Sequence, residues 1–125
     1  MEQSLLYEIE HCDRHFHVRL AQGFTMSLST MMSLWAEILD SGDNQAVRRV
    51  LIEGTSTTRN MRPREAYKHG EFIADIESPG LRVAFCLRDH RIDAVTGVFV
   101  DSANTGASTV RFFTNPEDAR SWLEN

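Results

Sequence analysis

The stretch NTGASTVRFFTNPEDARSWL, residues 104–123, contains a helix end, a strand and the start of a second helix. Residues 104–106 are typical of a helix exit, because Gly tolerates the conformation that ends a helix. Residues 109–113 favour a strand through their β-branched and aromatic side chains. Residues 115–118 provide a polar cap, a proline at the first helical position and acids in the first turn. The buried face of that last helix is predicted to be Ala119, Trp122 and Leu123.

The same alternation of strands and helices extends back through the chain. Hydrophobic periodicity and turn residues predict a hairpin over 5–21, a helix over 25–41 ending at Gly42, a strand over 48–54, a helix over 63–77 ending at Ser78-Pro79-Gly80, a strand over 83–87 and a helix over 92–103. Repeated strand-helix-strand units imply right-handed crossovers and parallel pairing. The predicted fold class is therefore α/β: one domain over residues 1–125, with a mixed, mostly parallel sheet, an N-terminal antiparallel hairpin and four helices.

Two of the predicted helices carry a defined inward face. On the helix over 25–41, apolar side chains recur at steps of three and four residues: Leu28, Met31, Met32, Trp35, Ile38 and Leu39. On the helix over 63–77, the predicted inward residues are Ala66, Tyr67, Gly70, Ile73 and Ala74, and His69 is predicted to lie at the rim or surface.

The predicted hairpin turns at Asp13-Arg14 and separates an apolar face from a polar one. The polar face would pair Glu8 with Arg19 and Glu10 with His17, and would place Cys12 opposite His15. Two interpretations remain open for it. It is an exposed edge face held by charge pairs, or Glu10, Cys12, His15 and His17 hold a zinc ion.

Composition excludes several classes of protein. The chain has 125 residues, 42% hydrophobic and 25% charged, which is typical of one soluble globular domain. No apolar run is long enough to cross a bilayer and no signal peptide is visible, so we expect a cytoplasmic location. The net charge of -5 argues against nucleic-acid binding. We read Cys12 and Cys86 as reduced thiols inside strands.

Residues 104–123 also resemble a known group of proteins. An Asn-x-Gly turn, a Val-Arg-Phe-Phe strand, an acid-Ala pair and a terminal Trp-Leu are similar to the C-terminal signature of small bacterial SpoIIAA-like proteins. These are related to the STAS domain of sulfate transporters and anti-sigma factor antagonists. The resemblance implies a small α/β fold that relatives use for partner switching or for binding small molecules and nucleotides, while the related CRAL-TRIO fold binds lipids.

In partner-switching relatives, a serine in an Asp-Ser-Ser-Gly type motif at a helix start is phosphorylated. The corresponding stretch here, residues 54–66, reads GTSTTRNMRPREA and lacks that motif. Ser56 lies in the matching neighbourhood but in a different context. The resemblance therefore supports the fold more strongly than it supports a phosphorylation switch.

The candidate site is the end of the sheet at which parallel strands finish, because ligands of open α/β sheets bind there. Its predicted residues follow the strands over 48–54 and 83–87: Thr55, Ser56, Thr57, Thr58, Arg59, Arg62, Arg88, His90 and Arg91. Hydroxyl groups, guanidinium groups and the helix N-terminus at Pro63 suit a phosphate or carboxylate. The alternative is a solvated loop whose hydroxyls bond their own backbone.

The sequence favours a non-enzymatic regulatory or ligand-binding module for an anionic ligand or a protein partner, without a cofactor. Two alternatives stay open. One is a carrier of a hydrophobic ligand such as a lipid, held beneath the methionine-rich helix by Met26, Met31 and Met32. The other is a small enzyme that uses Ser56 as nucleophile with His90. A homodimer is also expected, because a small sheet with a hairpin edge leaves groups to cover.

Overall fold

The computed structural model describes residues 6–12, 15–41, 48–55, 57–76, 80–88, 93–106 and 108–124. Its strands are β1 (Tyr7–His11), β2 (Phe16–Leu20), β3 (Phe24–Met26), β4 (Arg49–Gly54), β5 (Thr57–Arg59), β6 (Arg82–Leu87) and β7 (Thr109–Phe113). Its helices are α1 (Leu28–Ser41), α2 (Pro63–Ala74), α3 (Ala94–Ala103) and α4 (Pro116–Glu124). The predicted turn at Asp13-Arg14, the helix stop at Gly42 and the pair Ser78-Pro79 lie outside the described residues.

Five strands form the main sheet in the order β1-β2-β4-β6-β7. The β1–β2 pair is antiparallel, and every other pair in this sheet is parallel. From β2 onward, each new strand is added on the same side of the one before it. Right-handed crossovers made repeatedly in one direction place all connecting helices on one face of the sheet. The predicted mixed, mostly parallel sheet with four helices is confirmed.

The two faces of the sheet carry different cores because side chains alternate along a strand. On β4, Val50 and Ile52 join the large cluster beneath α1, α2 and α3, whereas Leu51 joins the smaller one beneath α4. On β6, Phe85 faces the large cluster and Cys86 the small one. Both central strands are therefore buried on both sides, which explains their nearly continuous apolar sequence.

The predicted helix start at Thr25 is wrong, since residues 24–26 form β3 and α1 begins at Leu28. Ser27 ends the strand and caps the helix. Its Oγ accepts the backbone N–H of Thr30 at 3.2 Å, and Thr30 Oγ1 accepts the backbone N–H of Ser27 at 2.9 Å. Such a reciprocal cap satisfies amides that the first helical turn leaves without partners.

The segment predicted as a hydroxyl-rich loop is also partly a strand. Thr57–Arg59 pair in parallel with Phe24–Met26, forming a second, two-stranded sheet. Phe24 and Met26 are both buried, with Thr25 exposed between them, so the alternation of β3 sets which of its side chains face the core. β3 has only three residues. Its partner β5 lies 33 residues further along the chain, with Thr57 opposite Phe24.

The hairpin register is confirmed, with Glu8 opposite Arg19 and Glu10 opposite His17. The predicted Glu10–His17 charge pair is wrong. Arg19 instead contacts Glu10 at 2.5 Å and Glu8 at 3.7 Å, while His17 Nε2 lies 2.6 Å from Oε1 of Glu53 on β4. The reason is that β2 is an interior strand, so β4 supplies a carboxylate beside His17 and helps to bury it.

Two arginines at the starts of strands secure the end of α4. Nε of Arg49 donates to the carbonyl of Leu123 at 2.8 Å, and Nη1 of Arg82 donates to the carbonyl of Trp122 at 2.7 Å. Cations at a helix C-terminus satisfy its last carbonyls and oppose its dipole. Arg49 and Arg82, two of the many arginines in the sequence, therefore have a structural role.

Gly70 lies at a close contact between α2 and α3. A Cβ atom on Gly70 would lie 1.8 Å from Oγ of Ser102, 2.7 Å from the carbonyl oxygen of Phe99 and 2.8 Å from the amide nitrogen of Ala103. Two of these three atoms belong to the backbone and have little freedom to move. The sequence GEFIA on α2 thus begins with a residue whose lack of a side chain brings the helices together.

Gly70→Ala should lower the free energy of unfolding by about 1–3 kcal/mol, because the added methyl group pushes α3 away from α2. Gly97→Ala on α3 is the matched control, since its Cβ meets nothing within 4 Å. That variant should be neutral or more stable by about 0.5–1 kcal/mol through helix propensity. Urea denaturation measures both, and equal stability of the two variants would contradict the close-packing argument.

Candidate functional site

Of the predicted site residues, Thr55 and Arg88 directly follow the carboxyl ends of β4 and β6, and Thr57, Thr58 and Arg59 lie in β5. Thr55 and Thr58 are exposed, Thr57 is half-buried, and Arg88 follows β6 with its backbone N–H 3.3 Å from the carbonyl of Gly54. This bond joins the ends of the two strands. Ser56, His90 and Arg91 lie outside the described residues, so their place in the site stays a prediction.

Arg62 is exposed at the start of α2. Its backbone N–H donates to Oε1 of Glu65 at 2.9 Å, which is half of a capping box. The N-terminus of α2, which was predicted to bind an anion, is therefore already occupied by a carboxylate from its own first turn.

Arg59 is paired with an acid that the sequence prediction did not include. Its Nη1 and Nη2 donate to Oδ1 and Oδ2 of Asp93 at 2.8 and 2.7 Å, which is the strong bidentate geometry. Asp93 caps α3, where it also accepts the backbone N–H and the hydroxyl of Thr96 at 3.0 and 3.1 Å. The guanidinium group first, and then these bonds from Thr96, hold the pKa of Asp93 well below its usual range.

Beside this ion pair lies a cavity of about 280 Å³. Its apolar wall comes from both sheets and both neighbouring helices: Met26, Met61, Ala66, Leu87, Phe99 and Phe112. Thr57, Arg59, Asp93 and Thr96 belong to the same wall, and the side chains of Arg59 and Asp93 are 37% and 43% exposed. The cavity is therefore largely apolar, and its charged residues stand where it meets solvent.

An aromatic cluster stiffens the inner wall. The ring of Phe99 stacks on that of His69, with centroids 4.4 Å apart, and meets the edges of Phe85 and Phe112 at 5.5 and 5.9 Å. Phe85 and Phe112 are themselves stacked at 5.0 Å. Contacts of this kind fix ring orientations beyond what burial alone would do. A ligand in the cavity would meet a preformed aromatic surface.

His69 is the polar group at the inner wall, and its predicted surface position is wrong. It is 2% exposed, whereas Tyr67, predicted to face inward, is 48% exposed. The spacing of α2 places position 69 over the core, where Nε1 of Trp35 on α1 donates to Nε2 of His69 at 3.1 Å. Burial lowers the pKa of His69 to about 3, so its ring is neutral at ordinary pH.

Three residues of this wall were missed by sequence reasoning: His69, Asp93 and Thr96. His69 falls three residues after Ala66 and four before Ile73, so it continues the apolar stripe of α2 and could have been found by its spacing. Asp93 precedes α3 by one residue and is an ordinary N-cap. Its partner Arg59 is 34 positions away, and no local pattern connects them.

The four possible zinc ligands do not assemble into a site. Among the residues that the structure describes, no group of three or more His, Cys, Asp or Glu side chains is placed to hold a metal ion. His17 is engaged with Glu53, and Glu10 with Arg19. Nε2 of His15 is buried without a hydrogen bond, and burial lowers the pKa of that ring.

The methionine-rich helix contributes to the core instead of forming a groove. Met31 is fully buried, together with Leu34, Trp35 and Ile38 on the same face of α1. Met26 precedes this helix and lines the cavity from β3. None of the helices in the described part of the chain is both long and apolar enough to cross a membrane.

The fold and the site define a class: an α/β domain with an apolar cavity at the carboxyl ends of its parallel strands. The chain resembles the crystal structure of an uncharacterized protein from the DUF3478 family with a SpoIIAA-like fold, from Shewanella loihica PV-4, with a TM-score of 0.53 and 20% identity over 98% of each chain. No family model matches the sequence, and no curated protein matches it. The SpoIIAA-like fold expected from residues 104–123 is confirmed.

Asp93→Asn should lower stability at neutral pH, because it removes the charge that Arg59 binds while keeping a good helix cap. The pKa of Asp93 is lowered in the folded state, so its contribution is present above the unfolded pKa and is lost as pH falls. The gap between wild type and variant should therefore shrink below about pH 4. Urea denaturation at several pH values measures it.

Asp101→Asn, on the exposed side of α3, is the control and should behave like the wild type throughout. Arg59→Gln should lower stability at neutral pH as Asp93→Asn does. The variant with both substitutions should lose no more stability than either single variant. Additive losses would show that the two side chains do not interact in solution.

Proposed function

We propose that this chain is a non-enzymatic binding module that takes a compact, uncharged and largely apolar small molecule into the cavity beside Arg59 and Asp93. The cavity itself is the observation that supports this proposal. Sites of this kind combine an apolar wall with a few placed polar groups. Here the wall is aromatic and aliphatic, and the polar groups are a neutral imidazole, two threonine hydroxyls and one internal ion pair.

The volume limits the size of the ligand. The cavity volume of about 280 Å³ is nearly twice the roughly 150 Å³ of a cavity that holds benzene. A ligand of about ten to fifteen heavy atoms would therefore fill it. Drug-sized ligands occupy roughly 300 Å³ or more. A ring compound fits this space, whereas a long-chain lipid would need the cavity to extend. The size therefore favours a compact ligand over the lipid suggested by the hydrophobic-carrier alternative.

The charges limit the ligand as well. The sequence predicted an anionic ligand because several arginines follow the strands. Arg59, which lines the cavity, already has a bidentate carboxylate partner in Asp93. An incoming anion would have to compete with Asp93, which Thr96 also holds in place. An uncharged ligand leaves these bonds intact, and this supports the choice of ligand class.

The same groups support binding over catalysis. General acid-base catalysis works best when the pKa of the catalytic group is near the working pH. His69 has a pKa of about 3, and the carboxyl group of Asp93 is held ionised. The Ser56 and His90 pair stays a prediction, as do a protein partner and a homodimer.

Ala66→Leu should abolish binding, because Ala66 lines the cavity and a larger side chain there fills it. The probe is indane, a compact bicyclic hydrocarbon, and the measurement is thermal unfolding with increasing indane. For wild type, indane at ten times its dissociation constant should add about 1.4 kcal/mol and raise the midpoint by several degrees. Ala66→Leu should show no shift.

Ala36→Leu adds the same side chain on the exposed face of α1 and should keep the wild-type response. Inorganic phosphate serves as the anionic probe, and we expect no stabilisation by it. Stabilisation of the wild type by phosphate that is lost in Arg59→Gln would contradict an uncharged ligand and would support an anionic ligand instead. Failure of indane and related hydrocarbons to stabilise the wild type would overturn the proposed function.

A further inference from the structure

His69 holds an unusual position among the polar residues of the cavity. It is the most deeply buried of them, at 2% exposure compared with 5% for Thr96, while Arg59 and Asp93 stand at the solvent edge. Aromatic packing holds the ring of His69. Phe99 stacks on the ring, and the edge of Phe85 lies at a centroid distance of 6.4 Å. The ring is therefore presented in one orientation.

The bond from Trp35 decides which ring nitrogen carries the proton. An indole N–H only donates, so Nε2 of His69 must be the acceptor and hold no hydrogen. In a neutral imidazole the proton is then on Nδ1. Trp35 is fully buried on α1, and the assignment follows from the bond between two fixed side chains. His69 thus has one N–H group left to donate.

That N–H group is not sealed off by the protein. Among the residues that the structure describes, Nδ1 of His69 has no hydrogen-bond partner. The fully buried side-chain nitrogen without a partner in those residues is Nε2 of His15, so Nδ1 of His69 is not fully buried. Nδ1 of His69 is therefore accessible, and His69 forms part of the cavity wall. A donor without a partner at a largely buried residue is unfavourable, so a ligand that supplies an acceptor gains affinity.

We propose that His69 is the specificity-determining residue of the cavity and that its Nδ1–H group binds a hydrogen-bond acceptor on the ligand, such as the carbonyl oxygen of a cyclic ketone. Trp35 is a positioning residue, since it fixes the tautomer without touching the ligand. This inference rests on the proposed function and narrows its ligand class from compact apolar molecules to those that carry one buried acceptor.

The test compares indane with indanone, the ketone of the same ring system. For wild type, indanone should bind roughly tenfold more tightly than indane, the ratio expected for one net hydrogen bond in a buried site. His69→Phe keeps a ring against Phe99 and removes the donor, so the preference should vanish while indane binding stays. His11→Phe, on the exposed edge strand, is the control and should keep the tenfold ratio.

The wild-type protein also provides a readout that needs no stable variant. A long-range proton–nitrogen NMR spectrum of the imidazole rings should show one histidine with its proton on Nδ1, and indanone, but not indane, should shift that signal. His69→Gln, which offers an amide donor, should restore part of the preference for the ketone.

The outcomes separate the two proposals. Equal binding of indane and indanone to the wild type, or a proton on Nε2 of His69, would overturn the role of His69 and leave the binding module standing. No binding of either probe would overturn both proposals.

Discussion

Gly70 lets α2 and α3 approach until backbone lies against backbone, and the candidate site depends on this contact. The cavity begins beside it, at His69 and Phe99, and continues toward the N-termini of both helices at Ala66 and Thr96. There the strands of the main sheet have ended, and Met26 of β3 and Thr57 and Arg59 of β5 also line the cavity. Close packing at Gly70 thus fixes the positions of both helices that contribute to the cavity wall.

Four of the arginines make contacts within the protein. Arg49 and Arg82 close the end of α4, Arg19 pairs across the hairpin, and Arg59 binds Asp93. In each case the cation meets a carbonyl or carboxylate of the same domain. An arginine-rich sequence therefore does not by itself indicate an anionic ligand, because helix ends and strand ends need such donors for stability.

Local patterns were sufficient for most elements and insufficient for the site. The last two elements follow from residues 109–118, because strand propensity, a polar cap and a proline act within a few positions. The pairing of β3 with β5 and the bond between Trp35 and His69 join distant segments. Short strands have weak periodicity, and the spacing that places His69 on the apolar stripe of α2 does not reveal its indole partner. Tyr67 and His69 were assigned to the wrong sides of α2, although the spacing from Ala66 to Ile73 favours position 69 as the inward one.

The sequence by itself determined the α/β class, the hairpin register and the order of the main-sheet strands and helices along the chain, but not the short strands β3 and β5. These depend on periodicity, caps and chain connectivity, which act over short distances. The tertiary structure alone decided the strand order, the partner of Arg59 and the bond between Trp35 and His69. Each of these depends on which distant side chains meet, and that is settled only when α2 and α3 pack together on the sheet.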